Sequence, residues 1–384
     1  MRRHSISPRP DWRATAQRLG FHFANMYGAP YWDESAMFSF SLAEIEDAIE
    51  DPSRDLHQMC LALAERAVAD PRVMARLGVP EAHRDLVAAS WRAADPTLYG
   101  RFDLAYDGTG PAKLLEYNAD TPTGLYEAAV FQWIWLEEAR GLGIVPSGAD
   151  QFNSVHERLV AQFAAMGTAP RLHLAGMLDD VEDGGTLAYL ADCAQQAGNR
   201  VQLINMADIG VDVRGRFIDL DNLVISWMFK LYPWEWMFDE AFAVHLAGAR
   251  CAFIEPPWKA MLSTKAILPL LWEMFPGHPN LLPAYFAGDP RADALGDHVV
   301  KPLFSREGEN VTLVRGGRAQ TTPGPYGEEG HVVQAAAPLF ESAHGYAVIG
   351  SWIVGDTACG IGIREDASPI TANLSRFVPH IIDG

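Results

Sequence analysis

The sequence predicts a mixed α/β fold in which a parallel sheet forms one lobe. Three observations predict it: helical periodicity over residues 12–90, two alternating segments followed by a helix over 101–140, and strand-helix-strand order over 172–229. Strands that alternate with helices are typical of a parallel sheet with helical crossovers. With 384 residues, 49% hydrophobic and 21% charged, the chain can bury a large core.

The N-terminal region carries helix signals. Ser41-Leu42-Ala43-Glu44 is a capping box, in which serine and glutamate satisfy backbone amides at a helix start. Residues 56–69 place apolar side chains at spacings of three and four, the period of an amphipathic helix. We therefore expect residues 12–90 to be helical and to pack beside the lobe that carries the functional site.

Further along the chain, strand and helix patterns alternate. Strands are predicted at 172–176, 201–205 and 223–229, with a helix at 186–197. A helix capped by Ser263 or Thr264 is predicted at 263–275, and two strands around a polar turn at 297–315. No internal repeat or linker separates these parts, so we expect several lobes within one unit.

Residues 100–118 predict a hairpin with a polar face. The Asp-Gly-Thr-Gly segment at 107–110 is a strong turn signal between two alternating strands. A turn centred between residues 109 and 110 pairs Asp103 with Glu116 and Arg101 with Asn118, so that all four side chains share one face. The alternation places on the opposite, core-facing side Phe102, Leu104, Leu115 and Tyr117.

The polar face of this hairpin has two interpretations. Two carboxylates and an amide oxygen beside a guanidinium suit a hard cation and phosphate oxygens, and burying them without such ligands would be costly. The alternative is an ordinary exposed face with salt bridges. A shift of one residue in the pairing would separate the four side chains, so the metal hypothesis depends on the register.

Composition and charge argue against several classes of function. The net charge is -19, so the chain lacks the basic stripe that a nucleic acid partner needs. An acidic field favours cationic ligands such as amines, and it also serves simply to maintain solubility.

The four cysteines are scattered singly, which indicates neither a zinc site nor a disulfide framework. No segment is typical of a signal peptide or membrane span, so we expect a cytoplasmic protein without a membrane partner.

A set of ordered motifs is more specific than these patterns. The motifs are Tyr-Gly-Arg-Phe-Asp at 99–103, Leu-Leu-Glu-Tyr-Asn-Ala-Asp-Thr-Pro at 114–122, Lys-Leu-Tyr-Pro-Trp-Glu at 230–235, Ser-Thr-Lys-Ala-Ile-Leu-Pro-Leu-Leu-Trp at 263–272, Val-Lys-Pro at 300–302 and Gly-Ile-Arg-Glu-Asp at 362–366. With them, residues 12–380 resemble the synthetase domain of the glutathionylspermidine synthase family. The resemblance implies one synthetase unit of several lobes, without the amidase domain of the bifunctional members. It also implies a circularly permuted ATP-grasp fold with a pre-ATP-grasp-like parallel-sheet lobe, because the metal hairpin precedes the lysines.

The resemblance also implies roles for individual residues. The magnesium ligands would be Asp103, Glu116 and Asn118. The catalytic cations would be Arg101 and Arg364, which contact the reacting phosphoryl and acyl groups. ATP would contact Arg101, Asp103, Lys265, Lys301, Gly308 and Gln334, with the lysines at the phosphates, Gly308 in a loop that closes over them, and Gln334 near the adenine.

Local sequence leaves alternatives for these positions. Lys265 could be a solvated residue in the first turn of its helix, and Lys301 with the loop that follows it could be part of an ordinary hairpin. A glutamine exposed after a strand, as Gln334 would be, is commonplace. Arg364 lies in the second arm of a predicted hairpin and could pair with an acidic neighbour rather than with a developing oxyanion.

Substrate contacts are predicted from position and charge. Thr121 follows the hairpin, while Glu182 and Asp183 begin an acidic loop that either meets a polyamine or glutathione-like amine or is simply solvated. Trp236 belongs to an aromatic cluster at 227–236, which would either wall an alkylamine pocket or form part of an aromatic core.

The predicted reaction is an ATP- and magnesium-dependent ligation of a carboxylate to an amine. Two magnesium ions would orient the γ-phosphoryl group toward the carboxylate, an acyl phosphate would form, and the amine would displace phosphate. The resemblance implies small-molecule substrates, a glutathione-like peptide and a polyamine. The alternatives are the same chemistry on a different acid and amine, or an ATP-binding protein without catalytic activity.

Overall fold

Helices and strands of a mixed α/β fold alternate along the chain, in a computed structural model that describes residues 1–26, 28–167 and 170–383. The helices are α1 (Trp12–Arg18), α2 (Leu42–Ile45), α3 (Asp51–Ala69), α4 (Pro71–Arg76), α5 (Arg84–Arg92), α6 (Gln132–Gly141), α7 (Val155–Ala165), α8 (Val181–Gln196), α9 (Trp234–Asp239) and α10 (Ile267–Met274). The strands are β1 (Arg2–Ser5), β2 (Asn25–Met26), β3 (Ala29–Pro30), β4 (Ala36–Phe40), β5 (Tyr99–Ala105), β6 (Lys113–Asn118), β7 (Leu172–Gly176), β8 (Val201–Asn205), β9 (Gly210–Val211), β10 (Phe217–Ile218), β11 (Trp227–Lys230), β12 (Ala252–Ile254), β13 (Ala284–Phe286), β14 (His298–Pro302), β15 (Thr312–Arg315), β16 (Arg318–Thr321), β17 (His331–Ala335), β18 (Phe340–Ser342), β19 (Gly345–Val354), β20 (Thr357–Asp366), β21 (Arg376–Val378) and β22 (His380–Ile382).

The N-terminal region is helical only in part. The capping box at the start of α2 is confirmed, since the Ser41 and Glu44 side chains each accept a hydrogen bond from the other residue's backbone amide. The prediction of helix throughout 12–90 is wrong at β4, which is buried at every residue and pairs with β1 and β22. A strand buried on both faces lacks the polar alternation that would distinguish it from a helix segment.

A parallel sheet forms one lobe, as predicted. Its strand order is β12-β11-β7-β8, and each pair is parallel. Helix α8 follows β7 and begins at Val181, because the Asp180 carboxylate accepts hydrogen bonds from the amides of Glu182 and Asp183. The predicted acidic loop at Glu182 and Asp183 is therefore the first turn of a helix.

The predicted hairpin is the β5–β6 pair in a mainly antiparallel sheet of order β21-β20-β19-β5-β6, with β18 beside β19. Asp103 pairs with Glu116 and Arg101 with Asn118, so the predicted register is confirmed there. A bulge follows, and Leu104 pairs with Leu114. Leu114 is buried in the core, whereas Leu115, predicted to face the core, is only half-buried and turns to the polar side.

A third sheet, of order β13-β17-β14-β15-β16, faces the hairpin. Its strands β14 and β15 are the antiparallel pair predicted at 297–315. The helix predicted from residue 263 begins later, as α10 at Ile267, and the Thr264 hydroxyl accepts a hydrogen bond from the Ala266 amide. Helix α10 also packs against α3, which lies on β19 and β20. Within the described ranges, no helix is long and apolar enough to cross a bilayer.

Candidate active site

Asp103 lies between two arginines on the polar face of the hairpin. Arg101 Nε and Nη2 donate to its two carboxylate oxygens at 2.7 and 3.1 Å, and Arg364 Nη2 donates at 2.6 Å. Strand β19 separates β5 from β20 in the sheet, so the side chain of Arg364 reaches across β19. Arg364 pairs with Asp103, whereas Glu365, the next residue in the chain, pairs with Arg376. The alternative pairing of Arg364 with an acidic neighbour is wrong.

Glu116 is the second carboxylate of this face. Lys265 Nζ lies 3.0 Å from one of its oxygens, and Asn118 Nδ2 donates to the other at 3.2 Å. Burial alone would raise the pKa of Glu116, but the charges of Lys265 and Lys301 outweigh it and hold this pKa well below its usual range. Lys265 also donates to the Ser305 carbonyl at 2.5 Å, and its side chain is 12% exposed, so the solvated alternative for Lys265 is wrong.

The Lys301 ammonium is held by Gln334 and by Leu115, the extra residue of the bulge in β6. Its ammonium donates to the Leu115 carbonyl and to Gln334 Oε1, each at 2.8 Å, while Gln334 Nε2 donates to the Leu114 carbonyl at 2.8 Å. Gln334 is buried, so the exposed alternative for it is wrong, and its amide orients Lys301. Burial lowers the pKa of Lys301 to about 8, with the charge of Glu116 opposing the shift.

The loop between β14 and β15 covers the same face. Gly308 in this loop has a φ of 71°, and a Cβ there would lie 2.3 Å from the Thr371 carbonyl oxygen, so only glycine fits. Arg306 Nη1 donates to Thr121 Oγ1 at 2.9 Å, and Arg306 also pairs with Glu235. The loop is therefore fastened to the segment that follows the hairpin.

These elements enclose one cavity that collects most of the predicted site residues. Its lining includes Arg101, Asp103, Glu116, Asn118, Thr121, Glu182, Lys265, Lys301, Gly308, Gln334 and Arg364. Asp183 and Trp236 are not among the lining residues. Trp236 is 43% exposed and contacts the site through Arg306, whose guanidinium lies 5.6 Å from the ring centroid. Trp234, by contrast, is fully buried, as the aromatic-core interpretation predicts.

An apolar slot in this cavity was not predicted from the sequence. Its side chains come from β14, from β15 and the residue before it, and from the segments after β17 and β20, namely Val299, Val311, Leu313, Ala336 and Ile370. Val299 and Lys301 are two residues apart on one strand and so share a face. That alternation is the only sequence signal for the slot, and any half-buried strand would show it.

Glu182, in the first turn of α8, adds a carboxyl group to the lining of the cavity. Burial raises the pKa of Glu182 to about 8, and the charges of Glu127 and Asp183 add to the shift. Burial likewise raises the pKa of Asp183 to about 6. Both carboxyl groups therefore hold their protons to a higher pH than exposed carboxyl groups do.

The hairpin residues fit a hard divalent cation by the chemistry of their donor atoms. Asp103, Glu116 and Asn118 offer carboxylate and amide oxygens from adjacent register pairs, the ligand type that magnesium prefers. Across the described residues, no group of three or more His, Cys, Asp or Glu side chains is arranged to hold a metal. The candidate set contains two carboxylates and one amide.

Comparison with known proteins defines the class to which this fold and site belong. The fold is similar to that of a glutathione synthetase-like effector from Globodera pallida solved in apo form, with a TM-score of 0.57, 11% identity, and coverage of 98% of this chain and 99% of the other. A Haemophilus influenzae protein named provisionally as an acid–amine ligase is 41% identical over 390 residues, with 97% of each chain covered. The class is that of the ATP-dependent acid–amine ligases.

Within that class the family is also clear. The family model described as glutathionylspermidine synthase preATP-grasp matches residues 3–383, and the chain belongs to this family. Trypanothione synthetase of Crithidia fasciculata is 29% identical over 349 residues, covering 84% of this chain and 53% of the relative. The bifunctional glutathionylspermidine synthetase/amidase of Escherichia coli is 25% identical over 365 residues, covering 88% and 58%. The chain thus spans a little over half the length of these two relatives.

Proposed function

We propose that this protein joins a carboxylate to an amine in a reaction driven by ATP cleavage to ADP and phosphate, through an acyl phosphate. The observation that carries the proposal is the convergence of the hairpin's polar face with Lys265, Lys301 and Arg364 on one cavity. Residues 12–380 act as one synthetase unit with a circularly permuted ATP-grasp fold. The chain order supports this permutation, since the hairpin precedes both lysines.

ATP enters with its adenine in the apolar slot and its phosphates toward the hairpin. Lys265 and Lys301 neutralise phosphate charge, and Gln334 keeps the Lys301 ammonium in place. Asp103, Glu116 and Asn118 would hold two magnesium ions. When bound, the magnesium would neutralise phosphate charge and orient the γ-phosphoryl group.

The chemical steps need positioning and charge stabilisation rather than a nucleophile from the protein. The substrate carboxylate attacks the γ-phosphorus, and ADP leaves. Arg101 and Arg364 then face the oxygens of the acyl phosphate, where negative charge develops as the amine attacks. The loop that contains Gly308 excludes water, which would otherwise hydrolyse this intermediate.

For substrates we propose a glutathione-like peptide as the acid and a polyamine as the amine. The names of the trypanothione and glutathionylspermidine relatives support this pair. Thr121 and Glu182, which line the cavity, would contact the substrates, and Asp183 follows Glu182 in the chain. Another peptide and amine pair, joined by the same chemistry, is the second candidate.

A coupling screen tests this proposal. The purified protein is incubated with MgATP and pairs of acids and amines, including glutathione and spermidine, and products are followed by ADP and phosphate release and by mass spectrometry. We expect ADP release that requires both an acid and an amine, with an amide product of matching mass. Tight ATP binding without amine-stimulated ADP release for any pair would contradict ligase activity.

A further inference from the structure

Glu127 lies behind the wall of the cavity, in the π-helical turn Glu127–Phe131 before α6. Its side chain is 1% exposed, and its Oε1 has no hydrogen-bond partner among the described residues. Removing a carboxylate from water without full compensation is costly. Such a group calls for an explanation other than packing.

Tyr31 connects Glu127 to the cavity. Tyr31 lines the cavity, and its hydroxyl lies close enough to the Glu127 carboxyl group for each group to shift the pKa of the other. A Cβ placed on Gly124 would lie 3.9 Å from the Tyr31 hydroxyl and 3.9 Å from Arg101 Nη1. The Tyr31 hydroxyl and the Arg101 guanidinium therefore approach the same point beside Gly124, and in the proposed reaction Arg101 faces the acyl phosphate.

The charged and titratable groups that face Glu127 come from several elements. They are Tyr31, Tyr126, Glu182, Arg101 and Arg364. Burial raises the pKa of Glu127 to about 7, while the nearby Tyr31 hydroxyl and the two arginines oppose the shift. A carboxyl with a pKa near the working pH is the efficient proton acceptor in general base catalysis.

We propose that Glu127, acting through the Tyr31 hydroxyl, accepts the proton that the attacking amine loses. This inference rests on the proposed function, because the proton is released only when an amine attacks an acyl phosphate. The nitrogen lone pair forms the C–N bond, and the C–O bond to phosphate breaks with its electron pair leaving on phosphate. The nitrogen proton passes to the Tyr31 oxygen as the Tyr31 proton passes to Glu127. Tyr31 is thus the catalytic residue, and Glu127 is the acceptor behind it.

The test compares a nucleophile that needs a base with one that does not. Wild type, Glu127→Gln, Glu127→Asp and Tyr31→Phe are assayed with MgATP and glutathione, using either spermidine or hydroxylamine. Hydroxylamine is neutral near pH 7 and captures acyl phosphates as hydroxamates without a protein base. Tyr126→Phe is the matched control, because the Tyr126 hydroxyl donates to the Leu19 carbonyl at 2.7 Å, away from the cavity.

We expect Glu127→Gln to lower kcat with spermidine by about 100-fold, the size of a lost general base. Hydroxamate formation should stay close to the wild-type rate. In wild type the spermidine rate should rise as the pH rises through about 7, where Glu127 loses its proton, and this rise should disappear in Glu127→Gln. Glu127→Asp should recover part of the rate, Tyr31→Phe should resemble Glu127→Gln, and Tyr126→Phe should resemble wild type.

Equal losses with both nucleophiles, or an unchanged pH profile in Glu127→Gln, would overturn the assignment. Absence of turnover by wild type with both nucleophiles would count against glutathione as the acid, and the acceptor would then be judged by infrared spectroscopy. The carboxyl stretch that Glu127→Gln removes should titrate near pH 7 in wild type. A Glu127 that is already ionised at about pH 5, close to the ordinary value for glutamate, would contradict the proposal without reference to any substrate.

Discussion

Asp103 binds two guanidinium groups at once, and Glu116 is paired with one ammonium group while a second lies close enough to lower its pKa. Each carboxylate of the hairpin is therefore outnumbered by cations. The surplus positive charge faces the cavity, where a polyphosphate would restore the balance. At the scale of single residues, the site is arranged for an anionic ligand.

Asp103→Asn tests this arrangement. The amide can no longer neutralise Arg101 and Arg364 or serve as a charged metal ligand, so we expect kcat to fall by at least about 100-fold. Asp107→Asn is the matched control on the same hairpin, because Asp107 lies in the turn and its oxygen accepts hydrogen bonds from Thr109. Steady-state kinetics with circular dichroism should show a folded but inactive Asp103→Asn protein and a control with wild-type kinetics. Full activity in Asp103→Asn would contradict the assigned role.

Gln334→Leu tests how Lys301 is held. The substitution leaves the Lys301 ammonium and the Leu114 carbonyl each without one buried partner, which is expected to cost about 1–3 kcal/mol. We expect a lower Tm and a KM for ATP raised about tenfold, since one misplaced phosphate contact corresponds to about 1.4 kcal/mol. Thermal unfolding and ATP titration measure the two effects, and an unchanged KM would show that Gln334 does not position Lys301.

The contacts of Gln334 could not be predicted from the sequence. Its partners lie on β14 and on the bulged hairpin strand, and only the folded sheets bring these segments together. The pairing of the four hairpin residues matches the prediction, but the pairs next to the turn are shifted by one residue, and only the bulge restores the predicted register at Asp103 and Glu116.

At the scale of secondary structure elements, the bulge after Asp103 has a specific effect. It inserts Leu115 into β6, so that the Leu115 carbonyl meets Lys301 while Leu114 takes the core position. The turn signal predicts that the two strands pair, but it fixes neither the pairs next to the turn, which are shifted by one residue from the predicted register, nor an extra residue within the strand. The same limit applies to β4, where a fully buried strand has no alternation to read.

Gly308→Ala tests the loop that covers the phosphates. A side chain at this positive φ costs about 1–2 kcal/mol in itself, and the Cβ would also clash with the Thr371 carbonyl. We expect the loop to be displaced, with a higher KM for ATP and a larger share of ATP cleaved without amide formation, because water reaches the intermediate. The measurement is the ratio of ADP to amide product.

Gly316→Ala is the matched control for this loop variant. Gly316 also has a positive φ, 55°, but a Cβ there meets no atom within 4 Å. This substitution carries the backbone strain without the clash. Equal ratios of ADP to amide in the two variants would show that strain alone, and not displacement of the covering loop, accounts for the effect.

At the scale of the whole molecule, the cavity requires the hairpin sheet, the facing antiparallel sheet and the start of α8 together. The mixed α/β class and the parallel sheet were predictable from the order of patterns. The apolar slot was not, because it collects residues from segments far apart in the chain. The family motifs located the charged residues without showing which of them contact each other.

Stability should depend on pH through Glu182, whose carboxyl group lines the cavity. Folded Glu182 keeps its proton up to about pH 8, whereas an ordinary glutamate loses it near 4.5. Between these values the folded state binds more protons than the unfolded state, so this group makes the protein less stable as the pH rises. Glu182→Gln should therefore raise Tm by a few degrees at about pH 8 and have little effect at about pH 5.

Thermal unfolding at the two pH values measures this effect. Glu157→Gln, which replaces an exposed glutamate on α7, is the control and should leave Tm unchanged at both. A Glu182→Gln protein that is no more stable than wild type at the higher pH would show that Glu182 ionises without penalty in the folded state.

The central claim is that the substrate carboxylate is activated as an acyl phosphate in this cavity. Transfer of oxygen-18 from a labelled carboxylate tests it most directly, using an acid and amine pair that gives turnover. We expect the label to appear in inorganic phosphate, in step with amide formation, because the carboxylate oxygen that attacks the γ-phosphorus leaves with it. Label found in AMP, or amide formed with no label in phosphate, would show that no acyl phosphate forms.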